Sequence, residues 1–354
     1  MEAIAPTRFA AQWDNVGLVV GDPASIVDRV LLTIDCTLAV VDEAKRSRCG
    51  AIVSYHSPIF EAVRRFTAGS PAYEAARAGI AVYTPHTALD VADGGTNDFL
   101  ADALGMTMRT PLRRLEGRHD AQYKLVTFVP PEHADAISQA MFHAGAGRIG
   151  KYSFCSFRAA GTGTFFGEEG ALPVVGQPGR LEEAAELRLE TVVPVASAEA
   201  VVNALRSAHP YEEPAFDLVV LAEPPSQRGF GRKGNVDRTR LHLMVERIKV
   251  ALEVPHVLVA GDLDREVTSA AVCAGSGGEM VDDAIRARVD LLLTGEVRHH
   301  DALRALEAGV AVVCTRHSTS ERAALAVLRQ RLEGRLPHVT FACSREDHEP
   351  FAFV

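Results

Sequence analysis

In RHSTSE, His317 and Glu321 stand four residues apart. If this segment enters the helix that follows, the two side chains project on one side, one turn apart, as a chelating pair requires. Ser318 and Thr319 suit the N-cap of that helix and put Glu321 in its first turn. Residues of the same kinds follow other β-branched runs: Asp35 in TID, Tyr55 and His56 in SYHSP, His86 and Asp90 in TPHTALD, and Glu296, His299, His300 and Asp301 in TGEVRHHD. Mixed imidazole and carboxylate donors suit borderline divalent ions such as zinc, iron, manganese, cobalt or nickel, whereas calcium prefers an all-oxygen shell. Asp90, on the loop after a neighbouring strand, has two oxygens and can hold one on each of two metals. His56, Asp90, His317 and Glu321 are therefore the strongest ligand candidates. Tyr55, His86, Asp35, Glu296 and His299 are candidates for weaker ligation or for supporting the ligands, and no residue is assigned as a catalytic acid, base or nucleophile.

Each residue also has a plainer reading. A lone strand-end histidine is more often a hydrogen-bonded structural residue than a ligand. His317 with Glu321 can be a surface salt bridge or a cap, Asp90 a turn residue before ADGG, and HHD a polar helix start. Convergence of several such residues at one edge of one sheet favours a metal centre, because ligands collect beyond the carboxyl ends of parallel strands.

The elements that must position them read as α/β, a mostly parallel sheet flanked by helices with an inserted α+β domain. Strands are predicted over 30–35, 51–56 and 81–86. They are joined by the helices VVDEAKRSRCG, with Gly50 as a C-terminal cap, and SPAYEAARAGI. The pattern returns as strands over 256–260, 270–274, 290–294 and 310–314, with helices over 278–288, 300–308 and 319–333, and the two halves are expected to share one core. Between them, strands over 122–129, 152–158, 185–193 and 216–221 and helices over 133–144 and 198–209 follow the order β-α-β-β-α-β of a ferredoxin-like insert. The expected division is a discontinuous α/β metal-binding domain over 1–120 and 236–354, an insert over 121–222, and a Pro/Gly-rich linker over 223–235.

Composition sets the bounds. The chain has 354 residues, 47% hydrophobic and 23% charged, an ordinary globular balance too long for one common core. No apolar run is long enough to span a bilayer, and the N-terminus lacks the basic start and apolar core of a signal peptide, so a cytoplasmic protein is expected. The six cysteines form no CxxC pair and read as reduced thiols. A net charge of −9 argues against a general nucleic-acid surface. GSGG at 275–278 reads as a tight turn, with an anion cradle as the alternative. WDNVGLVVGD, with the only tryptophan, Trp13, can pack a subunit edge or flank the site, and HPYEEP at 209–214 reads as a structured turn.

WDNVGLVVGD, VSYHSPIF, YTPHTALDVADGGTND, LLLTGEVRHHDAL and HSTSE, in that order, resemble the dinuclear metal-centre family also known as GTP cyclohydrolase 1 type 2, relatives of the yeast Ngg-one-interacting factor three. The middle segment resembles the insert of longer bacterial members through FVPPEHADAI, GAGRIGKYSFCSF, GTGTFF and HPYEEPAFD. The resemblance implies a hexameric ring of stacked trimers, two divalent ions per subunit (zinc, iron or manganese) facing an internal cavity, and inserts similar to PII and CutA proteins. It also implies His56, bridging Asp90, His317 and Glu321 as ligands, with Tyr55 where many members have a second histidine. A phenolate is a costly ligand, since the phenol's unperturbed pKa is about 10. One ion is thus expected to bind more weakly, or to gain a ligand from water or His86. Three functions compete: a metal-dependent hydrolase of a nucleotide-like substrate such as GTP; a non-enzymatic metal-holding assembly that senses a small molecule through the insert or docks a protein partner; and an α/β structural protein without metal.

Overall fold

A computed structural model describes residues 1–115, 122–221 and 227–352. The chain divides into two compact units, one of Met1–Glu116 with Ser226–Val354, the other of Gly117–Pro225. The boundaries expected at 120–121 and 222–223 lie outside the described residues.

In chain order the first unit begins with β1 (Gly17–Val20), β2 (Arg29–Thr33), β3 (Ala51–Ser54), β4 (Ala81–Thr84) and β5 (Thr107–Arg114). The second unit contributes β6 (Gln122–Val129), β7 (Ser156–Phe166), β8 (Leu181–Pro194) and β9 (Phe216–Val220). The first unit resumes with β10 (Gly229–Arg240), β11 (Leu258–Ala260), β12 (Glu266–Ser276), β13 (Leu291–Glu296), β14 (Ala311–Cys314) and β15 (Thr340–Cys343). The α/β class expected from the apolar runs is the observed one, but the single shared core is not. Two sheets form, in the orders β1-β4-β3-β2-β15 and β11-β14-β13-β12-β10-β5. The first is parallel except for β1. The second is mixed, with only β12, β13 and β14 parallel to one another.

Each sheet buries both faces against helices, which is why VLLT in β2 is a continuous apolar run rather than an alternating one. On one face of the first sheet Leu32 and Val53 pack with the helices His86–Val91 and Ala324–Arg335; on the other, Leu31 and Ile52 pack with Leu38–Arg46 and Pro71–Arg77. The second sheet separates its clusters in the same way. The helix expected over 319–333 is two, His317–Arg322 and Ala324–Arg335. In the second unit the antiparallel order β7-β8-β6-β9 backs onto the helices Ala134–His143 and Ala198–Ala208 around Leu125, Leu189, Ile137 and Val201.

The connector expected over 223–235 is corrected most. From Gly229 it is the strand β10, paired with β5 and β12. A Cβ on Gly229 would lie 2.0 Å from the Arg113 carbonyl, and one on Gly234 2.3 Å from that of Thr107, so these glycines permit close pairing rather than a loop.

From β10, Arg232 reaches back to the segment that carries Asp90. It is 6% exposed; Nε donates to Asp98 Oδ1 at 2.7 Å, Nη2 to the carbonyls of Val91 and Ala92 at 3.2 and 3.4 Å, and Nη1 to those of Gly229 and Gly231 at 2.9 Å. Removing it leaves a carboxylate and several carbonyls without their donor. Arg232→Met is expected to cost about 3–5 kcal/mol of stability. Urea unfolding would show this as a lower midpoint, and an unchanged midpoint would exclude the role.

Candidate metal centre

The carboxyl ends of β2, β3 and β4 in one sheet and of β12, β13 and β14 in the other supply the site. Backbone pairing continues one step past the strands: Tyr55 and His56 donate to the carbonyls of Thr33 and Ile34 at 2.9 Å, and Thr315 and Arg316 to those of Thr294 and Gly295 at 3.0 and 2.8 Å. His56 and His317 are thus set by ladder hydrogen bonds. Two residues beside the ligands hold unusual backbones. His86 has φ 28° and Arg316 φ 76° with ψ 154°, a region favoured by glycine and found where function requires a fixed direction.

His56, His317 and Glu321 offer donor atoms that all lie within 4.8 Å of one another. His56 Nε2 is 3.3 Å from Glu321 Oε2, and His317 Nε2 is 3.4 Å from Oε1. Charge-assisted N–H···O bonds run about 2.7–2.9 Å, so both separations are loose. Oε2 is buried and accepts no hydrogen bond despite the imidazole beside it. Three donors drawn toward one point, with an orphaned oxygen among them, fit a divalent ion better than a salt-bridge network. The helix begins at His317, so Ser318 and Thr319 do not cap it; their hydroxyls donate to Glu349 Oε2 at 2.6 and 3.2 Å.

Each imidazole has a carboxylate behind it. His56 Nδ1 donates to Asp35 Oδ1 at 2.9 Å, His317 Nδ1 to Glu296 Oε1 at 2.9 Å, and His86 Nδ1 to Asp14 Oδ1 at 2.8 Å. Such a bond fixes the tautomer that leaves Nε2 free to ligate, and it raises the ring's basicity. The His86 and His317 rings lie 5.3 and 5.4 Å from that of His56, so the three imidazoles form one group. Asp35 and Glu296 thereby act as orienting groups. Asp14 belongs with them, within the WDNVGLVVGD segment that could pack a subunit edge or flank the site. Gly17 pairs with Thr84 in the antiparallel β1–β4 ladder, so the chain just before β1 runs beside the chain just after β4. Reading GLVV as a strand would have exposed that juxtaposition.

Tyr55 is buried and Asp90 half-buried, and the Tyr55 hydroxyl donates to Asp90 Oδ1. Burial, with the Asp90 charge beside it, pushes the phenol well above its ordinary range. In this geometry Tyr55 serves as a neutral donor to Asp90. Burial raises the Asp90 carboxyl to about 6, although the tyrosine bond works the other way. Burial also opposes ionisation of Glu321, but the two imidazoles outweigh it and hold the carboxyl below its usual range. The unfavourable burial of both carboxylates is what a bound cation would relieve. Asn97 secures this corner, donating to the Asp90 carbonyl at 3.0 Å and accepting from the Ala274 amide at 2.9 Å.

Gly275, with φ 66°, passes directly against the ligands: a Cβ there would lie 2.7 Å from Glu321 Oε1 and 3.2 Å from His317 Nε2. GSGG thus makes room for the candidate ligands and faces the Glu321 carboxylate, which is incompatible with an anion cradle. His299 is exposed at the start of the helix His299–Glu307, its ring against that of His300, and among the described residues it joins none of these contacts. A cavity of about 440 Å³ opens beside His56 and His317, bounded by Leu258 and Phe351. The second unit holds a larger one, about 620 Å³, lined by Phe128, Phe165 and Tyr211. It contains no cluster of metal donors among the described residues, so the smaller cavity is the one beside chemistry. No helix among the described residues is long and apolar enough to cross a membrane.

A sequence model of the family described as Duf34/NIF3 (NGG1p interacting factor 3) matches residues 1–350. A Mycobacterium tuberculosis protein named GTP cyclohydrolase 1 type 2 homolog is 39% identical over 94% of this chain and 90% of its own length. A Bacillus subtilis protein of the same name is 34% identical over 100% and 96%. Among solved structures, a Bacillus cereus protein described as related to NIF3 aligns with a TM-score of 0.78 at 32% identity, covering 100% of this chain and 96% of that one.

Proposed function

Because the chain belongs to the Duf34/NIF3 family, we propose that it holds two divalent ions and acts as a metal-dependent hydrolase on a nucleotide-like substrate. The observation that carries this reading is the gathering of three carboxylate-backed imidazoles beside buried Glu321 and half-buried Asp90. His56, His317 and Glu321 would hold one ion. Asp90 would hold a second through the carboxylate oxygen that Tyr55 does not engage, with His86 beside it. Zinc, iron and manganese all suit this donor set. Two such ions, when bound, would supply a water of lowered pKa and polarisation of a substrate oxygen or ring carbon. The chain's own part is to fix the imidazoles through Asp14, Asp35 and Glu296, and to keep Asp90 aimed through Tyr55 and Asn97. The relatives' shared name, GTP cyclohydrolase 1 type 2 homolog, supports a purine nucleotide as the substrate class. The proposal includes a cytoplasmic homo-hexamer, as the sequence resemblance implies.

The cavity of about 620 Å³ in the second unit supports a second reading, a metal-holding assembly that senses a small molecule there. The two readings part on one experiment. Protein purified without a histidine tag is expected to carry about two equivalents of metal per chain. It should turn over GTP or another nucleotide only while loaded with zinc, iron or manganese, stopping on chelation and recovering on metal return. Metal without turnover across a panel of nucleotides and phosphoesters would remove the hydrolase reading.

A further inference from the structure

Three consecutive residues ahead of β1 touch the site in three ways. Asp14 orients His86. Asn15 donates from Nδ2 to the Ile59 carbonyl at 2.6 Å and so pins the segment that carries Phe60. Trp13 lays its indole 5.9 Å from the Phe60 ring and 5.9 Å from the His86 ring, while Phe60 lies 6.4 Å from His86. Trp13 is 64% exposed and Phe60 55%, although both stand against a candidate ligand. Aromatic faces left open to water beside reactive groups are a common means of holding planar ligands.

We propose that Trp13 and Phe60 form a stacking platform for the planar heteroaromatic ring of an anionic substrate, placed at the His86 rim of the metal centre. This deepens the hydrolase reading and rests on it for the fate of the ring. The two rings are inclined by 57° with centroids 5.9 Å apart. Inserting a third ring between them needs roughly 7–8 Å, two van der Waals contacts, so the ligand stacks on an open face rather than in a sandwich. Further along the segment that Asn15 pins, Arg64 and Arg65 are exposed and form no ion pair with the described residues. In a chain of net charge −9, two uncommitted guanidinium groups following an aromatic pair suit a ring that carries a phosphate. The class that combines these features is a nucleotide.

Trp13 is the only tryptophan, so its fluorescence reports on the platform alone. Titrating the full-length protein with guanosine 5′-monophosphate and guanosine should give saturable quenching, tighter for the monophosphate, and ribose 5-phosphate should give none. By calorimetry, Trp13→Ala should weaken guanosine 5′-monophosphate about tenfold, and Trp13→Phe should retain most of the affinity. Arg64→Ala with Arg65→Ala should bring the monophosphate down to the affinity of guanosine, with metal content unchanged in every variant. The platform is overturned if neither purine quenches saturably, if ribose 5-phosphate quenches equally, or if Trp13→Ala changes the subunit number, which would make this surface a contact between copies. Trp13-dependent binding without turnover in the metal-loaded wild type would leave the platform standing and remove the hydrolase reading. Turnover in Trp13→Ala at the wild-type KM would do the reverse.

Discussion

Glu321→Gln is expected to weaken the ion proposed for His56, His317 and Glu321 at least tenfold and to leave the purified protein with no more than about half of the wild-type metal, because losing a coordinating charge should cost at least the ten- to hundredfold in affinity seen when only a supporting group is lost. The amide has nearly the same volume, so the fold should persist while the ion does not. A second signature follows from protonation. Burial opposes charge on His56, but Asp35 and Glu321 outweigh it and raise the imidazole to about 10. At His317 the Glu321 bond dominates over burial and raises the ring to about 9. Both start from 6.5, so in the metal-free protein both carry protons at neutral pH. Their contribution to stability is complete below about 6.5 and fades as pH rises through about 9 to 10. An ion must displace those protons, so wild-type affinity should climb with pH, and binding at pH 7 should release about two protons, measurable by calorimetry in buffers of different ionisation enthalpy. In Glu321→Gln both imidazoles lose their shared partner, and the pH dependence of metal-free stability should flatten. Full metal content in this variant would remove Glu321 from the site.

Gly275→Ala is expected to be nearly as damaging by a different route. The backbone there is left-handed, and the new methyl would sit 2.7 Å from Glu321 Oε1. That oxygen is the far end of a side chain, which elsewhere could move aside. Glu321 is 3% exposed and has nowhere to go without leaving the imidazoles. The backbone penalty is of the order of 1 kcal/mol, too small to unfold the protein, so the main loss should be in metal affinity. Gly79→Ala is the control: its φ of 68° matches the 66° of Gly275, but nothing lies within 4 Å of the added carbon. It should lose similar stability and keep its metal. Equal metal content in both variants would show that Gly275 has no steric part in the centre.

The cluster of His56, His317 and Glu321 was legible because its signals are local. Strand ends can be read from β-branched runs, and a spacing of four residues predicts the His317–Glu321 pair once a helix follows. Roles that depend on burial or on pairing between distant segments were not legible. Tyr55 reads as a poor ligand in sequence and becomes a donor to Asp90 only because the fold brings the two side chains together. Asp14 gains its role from the β1–β4 ladder. GFGRKGN reads as linker because glycine usually marks a turn, yet here glycine admits a neighbouring backbone. His299 failed for the opposite reason: it has the right residue type just beyond a strand, but the helix it starts turns it to solvent.

The distance along the chain between His56 and Glu321 has a consequence for biosynthesis. At translation rates of about 5–20 residues per second, the ribosome delivers His56 and Asp90 well before the helix that bears His317 and Glu321, with the whole second unit emerging in between. A nascent chain therefore exposes an incomplete half-site for many seconds, with imidazole and carboxylate but no closing partner. On the proposed assignment, the ion of His56, His317 and Glu321 could be taken up only by a chain whose last helices have been made, and one released early would lack two of those three donors. Metal at that position would in that sense record that translation reached its last helices.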